Sequence, residues 1–166
     1  MFMKADFSDI NQIMEIVRLT VPEMNAYGNY QWTDSYPQAS DFTRDIENGD
    51  LYVYKNGDHM LGFICINSVE APEYSKLKWA SDEKSIVVHR LAVNPEFRKQ
   101  GIATRLLDFA ETFALERRLN HIKTDTNSLN VKMDSLFKKR GYNVTGEVHF
   151  PGTEAPFVCY EKLLCN

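Results

Sequence analysis

One stretch of the chain has residue types and spacing suited to holding a multiply charged anion. Arg98, Lys99, Gln100, Gly101, Ile102, Ala103 and Thr104 follow an apolar run and open a segment with helical periodicity. The spacing Arg98-x-x-Gly101-x-Ala103 sets consecutive backbone N–H groups at a helix start, beside cationic side chains. Those first N–H groups lack intrahelical partners and lie at the positive end of the helix dipole, so a diphosphate fits there. Gly101 puts no Cβ between backbone and anion, Ala103 is small, and Arg98 and Lys99 add charge. Neither Gly-x-x-x-x-Gly-Lys-Ser/Thr nor Gly-x-Gly-x-x-Gly is present, which argues against a nucleotide-binding loop of those types.

Positioning such a site requires a strand before it and a helix after it, and the chain supplies both. Ser85 to Val93 is predicted as a central strand, and Gly101 to Arg117 as an amphipathic helix with Ile102, Leu106, Phe109, Ala110 and Phe113 facing the core. Upstream, a short strand at Phe2 to Lys4 precedes a helix with Ser8 as N-cap and Pro22 near its end. An aromatic loop, Tyr27 to Pro37, leads to a helix from Ser40 to Glu47 that stops at Asn48-Gly49. Leu51 to Lys55 and Met60 to Val69 read as a hairpin around Asn56-Gly57-Asp58. Ala71 to Lys84 reads as a loop. Downstream come a strand at Asn120 to Thr126, a helix at Asn130 to Arg140, and two strands at Tyr142 to Phe150 and Ala155 to Leu163. The order βααββ, βαβα, ββ implies an α/β fold: a mixed sheet of about seven strands, helices on both faces, and a parallel central pair joined by a right-handed crossover.

The whole chain, 166 residues, is long enough for one domain with a sizeable core. A net charge of -4 argues against a nucleic-acid partner. No apolar run approaches the roughly 20 residues of a membrane span, and no signal-peptide pattern follows Lys4. Cys65, Cys159 and Cys165 form neither a metal pattern nor a disulfide framework. Cys65 and Cys159 read as buried thiols, consistent with a reducing, cytoplasmic setting and no metal site.

The ordered set Leu91-Ala92-Val93-Asn94-Pro95, Arg98-x-x-Gly101-x-Ala103, Asn130 and Gly141-Tyr142 resembles the GNAT acetyltransferase family, across nearly the whole element order. The resemblance implies the GNAT fold, in which the parallel central strands splay and the freed backbone groups pair with the pantetheine arm of acetyl-CoA. Leu91, Ala92 and Val93 take that place here, and acetyl-CoA is the implied cosubstrate. It also implies that Asn130 contacts the cofactor, although capping the next helix accounts for that residue equally well. Lys139 stands where the family often has lysine, and could equally complement the helix dipole. Phe137 stands where many members carry a tyrosine that protonates the departing thiolate. The ring is kept and the proton is not, leaving Tyr142, Tyr160, water or no acid at all.

For a base, strand alternation puts His89 on one face with Val87, Leu91 and Val93, and a neutral imidazole suits deprotonating an ammonium. Some family members that act on amines have a histidine at this place. On the acceptor side, Trp32 and Tyr36 from the aromatic loop and His149 near the final turn are candidate walls, with Asp34 or Glu70 able to hold a cationic amine. The expected activity is direct transfer of an acetyl group to a primary amine of a small molecule or peptide. The alternative is a non-catalytic acyl-CoA-binding module, favoured by Phe137. Homodimers are common in the family, and the C-terminal strand is a candidate for pairing across one.

Overall fold

A computed structural model describes residues 1–165. The elements are β1 (Phe2–Lys4), α1 (Ile10–Ala26), α2 (Ala39–Glu47), β2 (Leu51–Asn56), β3 (His59–Asn67), β4 (Ile86–Val93), α3 (Ile102–Glu116), β5 (His121–Asn127), α4 (Val131–Lys139), β6 (Asn143–Val148) and β7 (Phe157–Leu163). They build one seven-stranded sheet in the order β1-β2-β3-β4-β5-β7-β6. Among the described residues only β4 and β5 run parallel; every other neighbouring pair is antiparallel.

Alternation along the strands divides the core between the two faces of the sheet. Phe63 and Cys65 face Ile13, Ile16, Val17 and Val21 of α1 and Phe42 of α2. Their neighbours Ile64 and Ile66 face Leu106, Leu107, Ala110 and Ala114 of α3 and Phe137 of α4. Cys65 and Cys159 are buried and unbridged. A third apolar cluster, Tyr74, Val87, Val148, Phe157 and Cys159, covers the β5–β7–β6 end under the segment carrying Leu77 and Trp79. That segment is not wholly irregular, since Pro72–Lys76 forms a 3-10 turn.

Three local expectations change. Asp6, not Ser8, starts the first helical segment: Asp6 Oδ1 accepts from the Ser8 N–H at 2.8 Å, and Asp9 returns a bond to the Asp6 N–H. Pro22 lies inside α1, which runs on to Ala26; this carries Glu23 and Met24 out over the cleft described below. Finally, β7 is paired on both sides, by β5 and β6, so it has no free edge for a partner strand. The edge at this end of the sheet is β6, and a register shift between Val144 and Gly146 interrupts its pairing with β7.

The centre of the sheet is irregular in two ways that matter for the site. First, β4 carries a bulge: Cys65 pairs with Arg90 and Ile66 with Val88, leaving His89 with no partner on β3. The extra residue breaks the expected alternation. Val88, Leu91 and Val93 pack toward α3, whereas Val87 belongs to the third cluster and Ala92 packs toward α1. Second, β4 and β5 pair only from Ile86–Ile122 to Val88–Thr124. Beyond that they separate into a fork, and the Thr124 hydroxyl donates to the Val88 carbonyl at 3.0 Å at the branch. Gly62 lets β3 press against the outer bank of the fork, since a Cβ there would lie 2.6 Å from the Ala92 carbonyl oxygen.

Candidate active site

A cleft of about 510 Å³ follows the fork. One end is the loop before α3. Lys99 and Gly101 both take left-handed backbone conformations, φ 61° and 73°, and Gly101 caps α3 without any side-chain bond to the first turn. A left-handed residue next to right-handed helical ones turns successive N–H groups into a concave nest suited to phosphate oxygens. Arg98, Lys99, Gly101, Ile102, Ala103 and Thr104 line this end, and Leu91, Ala92 and Val93 line the bank of β4. Gln100 is exposed and does not line the cleft; neither does Lys139.

Asn130 serves as cap and wall together. Its Oδ1 accepts from the Met133 N–H, its Nδ2 donates to Thr126 Oγ1 at 2.9 Å, and it borders the cleft. Phe137 also borders the cleft, its ring packed against Tyr142 and Tyr160 at 5.5 and 4.9 Å between centroids. Those tyrosines lie behind it: Tyr160 donates to Asp134 Oδ1 at 2.7 Å, and the Tyr142 hydroxyl is buried away from the cleft. Burial pushes both phenols up, and neither offers a proton to the fork.

Several residues of the cleft lie outside the set read from the sequence. Glu23, from the end of α1, pairs with both Arg98 of the loop and Lys132 of α4. These two bonds, Lys132 first, hold its carboxyl below the usual range. Gln31 pins the aromatic loop across β5, its Oε1 accepting from the Asn127 N–H at 3.0 Å and from Thr126 Oγ1 at 3.1 Å. Asp125 lines the cleft on the opposite bank from His89.

At the branch of the fork, His89 Nε2 lies 2.6 Å from Asn67 Oδ1. The orientation of that amide follows from its other bonds. Oδ1 accepts from the Val69 N–H at 2.9 Å, and Nδ2 donates to Asp50 at 2.9 Å. An oxygen facing Nε2 requires Nε2 to carry the proton, so the neutral ring keeps its Nδ1 lone pair. His89 keeps part of its surface open to the cleft, yet crowding by the surrounding strands and the Arg90 charge beside it hold the imidazole below its ordinary range, so it is neutral near pH 7.

Trp32 borders the cleft with one edge while its ring stacks over Phe63 in the core, 6.3 Å between centroids. Tyr36 is exposed and lies under the Arg90 guanidinium at 5.6 Å, outside the cleft, and His149 is exposed and away from it. Glu70 is taken by Lys123 and Ser85, at 2.6 and 2.9 Å, and Asp34 is exposed on the loop. Among the described residues no cluster of metal-ligating side chains occurs, and no helix is long and apolar enough to cross a membrane.

A strand-lined fork running into a helix-capping loop has the shape that the resemblance implies for an acyltransferase cleft. Residues 11–142 match the model of the Acetyltransferase (GNAT) family. The uncharacterized N-acetyltransferase YesJ of Bacillus subtilis (strain 168) is 28% identical over 147 residues, 86% of this chain and 81% of its own. A candidate acetyltransferase from Staphylococcus aureus Mu50 superimposes with a TM-score of 0.79 at 29% identity, covering 99% of both chains. A GNAT-family acetyltransferase from Streptococcus agalactiae 2603 shares the fold, with a TM-score of 0.86 at 24% identity over 100% of this chain and 96% of its own. The chain belongs to the GNAT family and is an N-acetyltransferase.

Proposed function

We propose that this enzyme moves the acetyl group of acetyl-CoA to a primary amine, on a small molecule or a peptide, by direct attack of the amine. The observation that carries the reading is the fork: three residue pairs between β4 and β5, then two separated banks leading to the Lys99–Gly101 loop, with left-handed backbone at both of those residues, within a single cleft. The backbone of Leu91 to Val93 faces an opening where an amide-bearing arm adds like a strand, and the loop holds a diphosphate through backbone N–H groups, Arg98 and Lys99. Bound there, acetyl-CoA supplies the activated acetyl group. Fork N–H groups orient and polarise its carbonyl. His89 offers its Nδ1 lone pair to the attacking nitrogen, with Asn67 holding the tautomer.

The test is direct. CoA is expected to raise Tm where ATP and NAD do not, and acetyl-CoA is expected to release free thiol only when a primary amine is added. His89→Ala is expected to lower kcat with CoA affinity unchanged. Amine-independent thiol release, or no stabilisation by CoA, refutes the reading.

A second reading, acyl-CoA binding without transfer, is favoured by one observation: Phe137 fills the place of a hydroxyl, and the neighbouring tyrosines are shut off from the cleft. If CoA binds and no amine raises turnover, Phe137→Tyr distinguishes the two, because restored transfer identifies the missing acid.

A further inference from the structure

The fork has a second bank whose chemistry the reading above leaves unused. The last β4–β5 pair is Val88 with Thr124, so the next residues on the two strands, His89 and Asp125, stand at its apex. Both line the cleft. Asp125 pairs in register with Cys159 of β7, and Tyr74 reaches it from the 3-10 turn, donating its hydroxyl to Oδ2 at 2.5 Å. Among the described residues Asp125 has no ion pair, and Tyr74 is its one hydrogen-bond partner through the side chain.

The groups facing this carboxylate are few. They are the Tyr74 phenol and the Cys159 thiol of the neighbouring strand; the His89 ring, also on the cleft, turns its Nε2 to Asn67, and the Gln31 amide is bound to Thr126. Lys123, two residues back on the same face of β5, is committed to Glu70 at 2.6 Å and stacks on Trp79 at 4.4 Å. Glu161, on the neighbouring strand, is committed to His121 and to the Ala80 N–H. Asp125 is therefore the acid left without a cation, at the opposite end of the cleft from the cationic Arg98, Lys99 and Lys132.

We propose that Asp125 binds the ammonium of the acceptor at the apex of the fork and takes its first proton, so that the acceptor is a cationic alkyl primary amine. This rests on the acetyl-transfer reading and names the substrate class for it. A primary ammonium loses two N–H protons in becoming an amide. The first passes to the Asp125 carboxylate, freeing the nitrogen lone pair. That pair attacks the thioester carbonyl carbon, a C–N bond forms, and the carbonyl π pair moves to oxygen. The nitrogen of this adduct is cationic and far more acidic than the free ammonium, and its proton passes to His89. The C=O bond re-forms as the C–S bond breaks, its electron pair leaves on sulfur, and the sulfur takes the proton that His89 holds. Asp125 returns its own proton to water. Ammonium and thioester thus become amide, thiol and one released proton.

The strengths of the two bases match this order. Burial pushes Asp125 up to about 6, making it the better acceptor for the weakly acidic free ammonium. His89, held below the ordinary imidazole range, is the weaker base and suits the strongly acidic nitrogen of the adduct.

The experiment follows the Asp125 carboxyl by 13C NMR in the full chain with bound CoA, adding spermidine, phenethylamine, lysinamide or aniline. At least one of the three alkyl amines is expected to lower the Asp125 titration midpoint by about one unit or more, while aniline, uncharged near neutral pH, leaves it in place. In the thiol-release assay with acetyl-CoA, Asp125→Asn is expected to cost that amine about 100-fold or more in kcat/KM. It removes the limb near pH 6. His89→Ala keeps that limb. CoA affinity within about twofold of wild type shows that the Asn variant is folded. An Asp125 midpoint unmoved by all three alkyl amines, a midpoint moved equally by aniline, or an Asn variant with undiminished kcat/KM overturns the proposal. Failure of CoA to bind overturns the transfer reading; bound CoA with an unmoved midpoint overturns only this one.

Discussion

Glu23→Gln is expected to tighten CoA binding, by an amount the structure bounds. Glu23 holds Arg98 and Lys132 across the cleft, and both cations border the space assigned to the diphosphate. A diphosphate must share these cations with the carboxylate or displace it. The side chains are 34% (Arg98), 38% (Glu23) and 71% (Lys132) exposed, so solvent screens both pairs heavily. Pairs of that kind are worth about 0.2–1 kcal/mol each, so freeing both cations returns about 1 kcal/mol to the ligand. That corresponds to roughly fivefold in Kd. Glutamine keeps the length and a hydrogen-bonding carbonyl, so packing at the end of α1 is retained. Calorimetric titration of CoA into both proteins at low and high KCl measures the effect, and the difference is expected to shrink as salt screens the competing carboxylate. Unchanged or weaker binding in the variant refutes the argument, because it means Glu23 holds the cations in their binding positions instead of competing for them.

Two further outcomes concern stability. Gly62→Ala drives a Cβ to 2.6 Å from the Ala92 carbonyl oxygen, which must move. Overpacking of that kind costs about 1–3 kcal/mol, lowering Tm by roughly 2–12 °C in a chain of this size; because the moving strand is a bank of the fork, CoA affinity is expected to fall with it. Asp125 and His89 should give pH slopes of opposite sign. The folded-state value of Asp125 is raised, so the stability it contributes is present below about pH 4 and is lost as pH rises through about 6. Asp125→Asn is accordingly expected to be more stable than wild type at pH 7.5, by on the order of 2 kcal/mol, and to lose that advantage at pH 4. The folded-state value of His89 is lowered, so its contribution is present above the ordinary histidine range and lost as pH falls toward 4, and His89→Ala should flatten that loss. Calorimetric Tm values across this range check both signs.

Much of this architecture is legible in residue patterns. The hairpin at Asn56-Gly57-Asp58, the helix beginning after Gly101 and the parallel pair around it follow from turn chemistry and periodicity alone. The anion loop is legible for the same reason: a glycine at a helix start has a local meaning. The bulge at His89 is not, because nothing local distinguishes a strand with an extra residue from a regular one; only pairing against β3 reveals it. Asp125 is hidden by a related cause. In Thr124-Asp125-Thr126-Asn127 every residue is polar, so the face of each becomes known only once the register with β7 and the departure of β4 are fixed. Its partner Tyr74 comes from a stretch that reads as loop. Glu23 stands just past a proline that reads as a helix terminus, whereas the helix continues and delivers it to the cleft.

The last strand of the sheet bears on how the protein behaves at high concentration. β6 ends the sheet with Val144 exposed, an outer rim whose main-chain groups invite docking by a second molecule. The register break at Thr145, whose hydroxyl meets Glu161 at 3.1 Å, interrupts that rim in mid-strand. A strand arriving from outside meets a kinked template and cannot zip along its full length. A deletion that straightened β6 is expected to favour edge-to-edge association of copies even with the cleft intact.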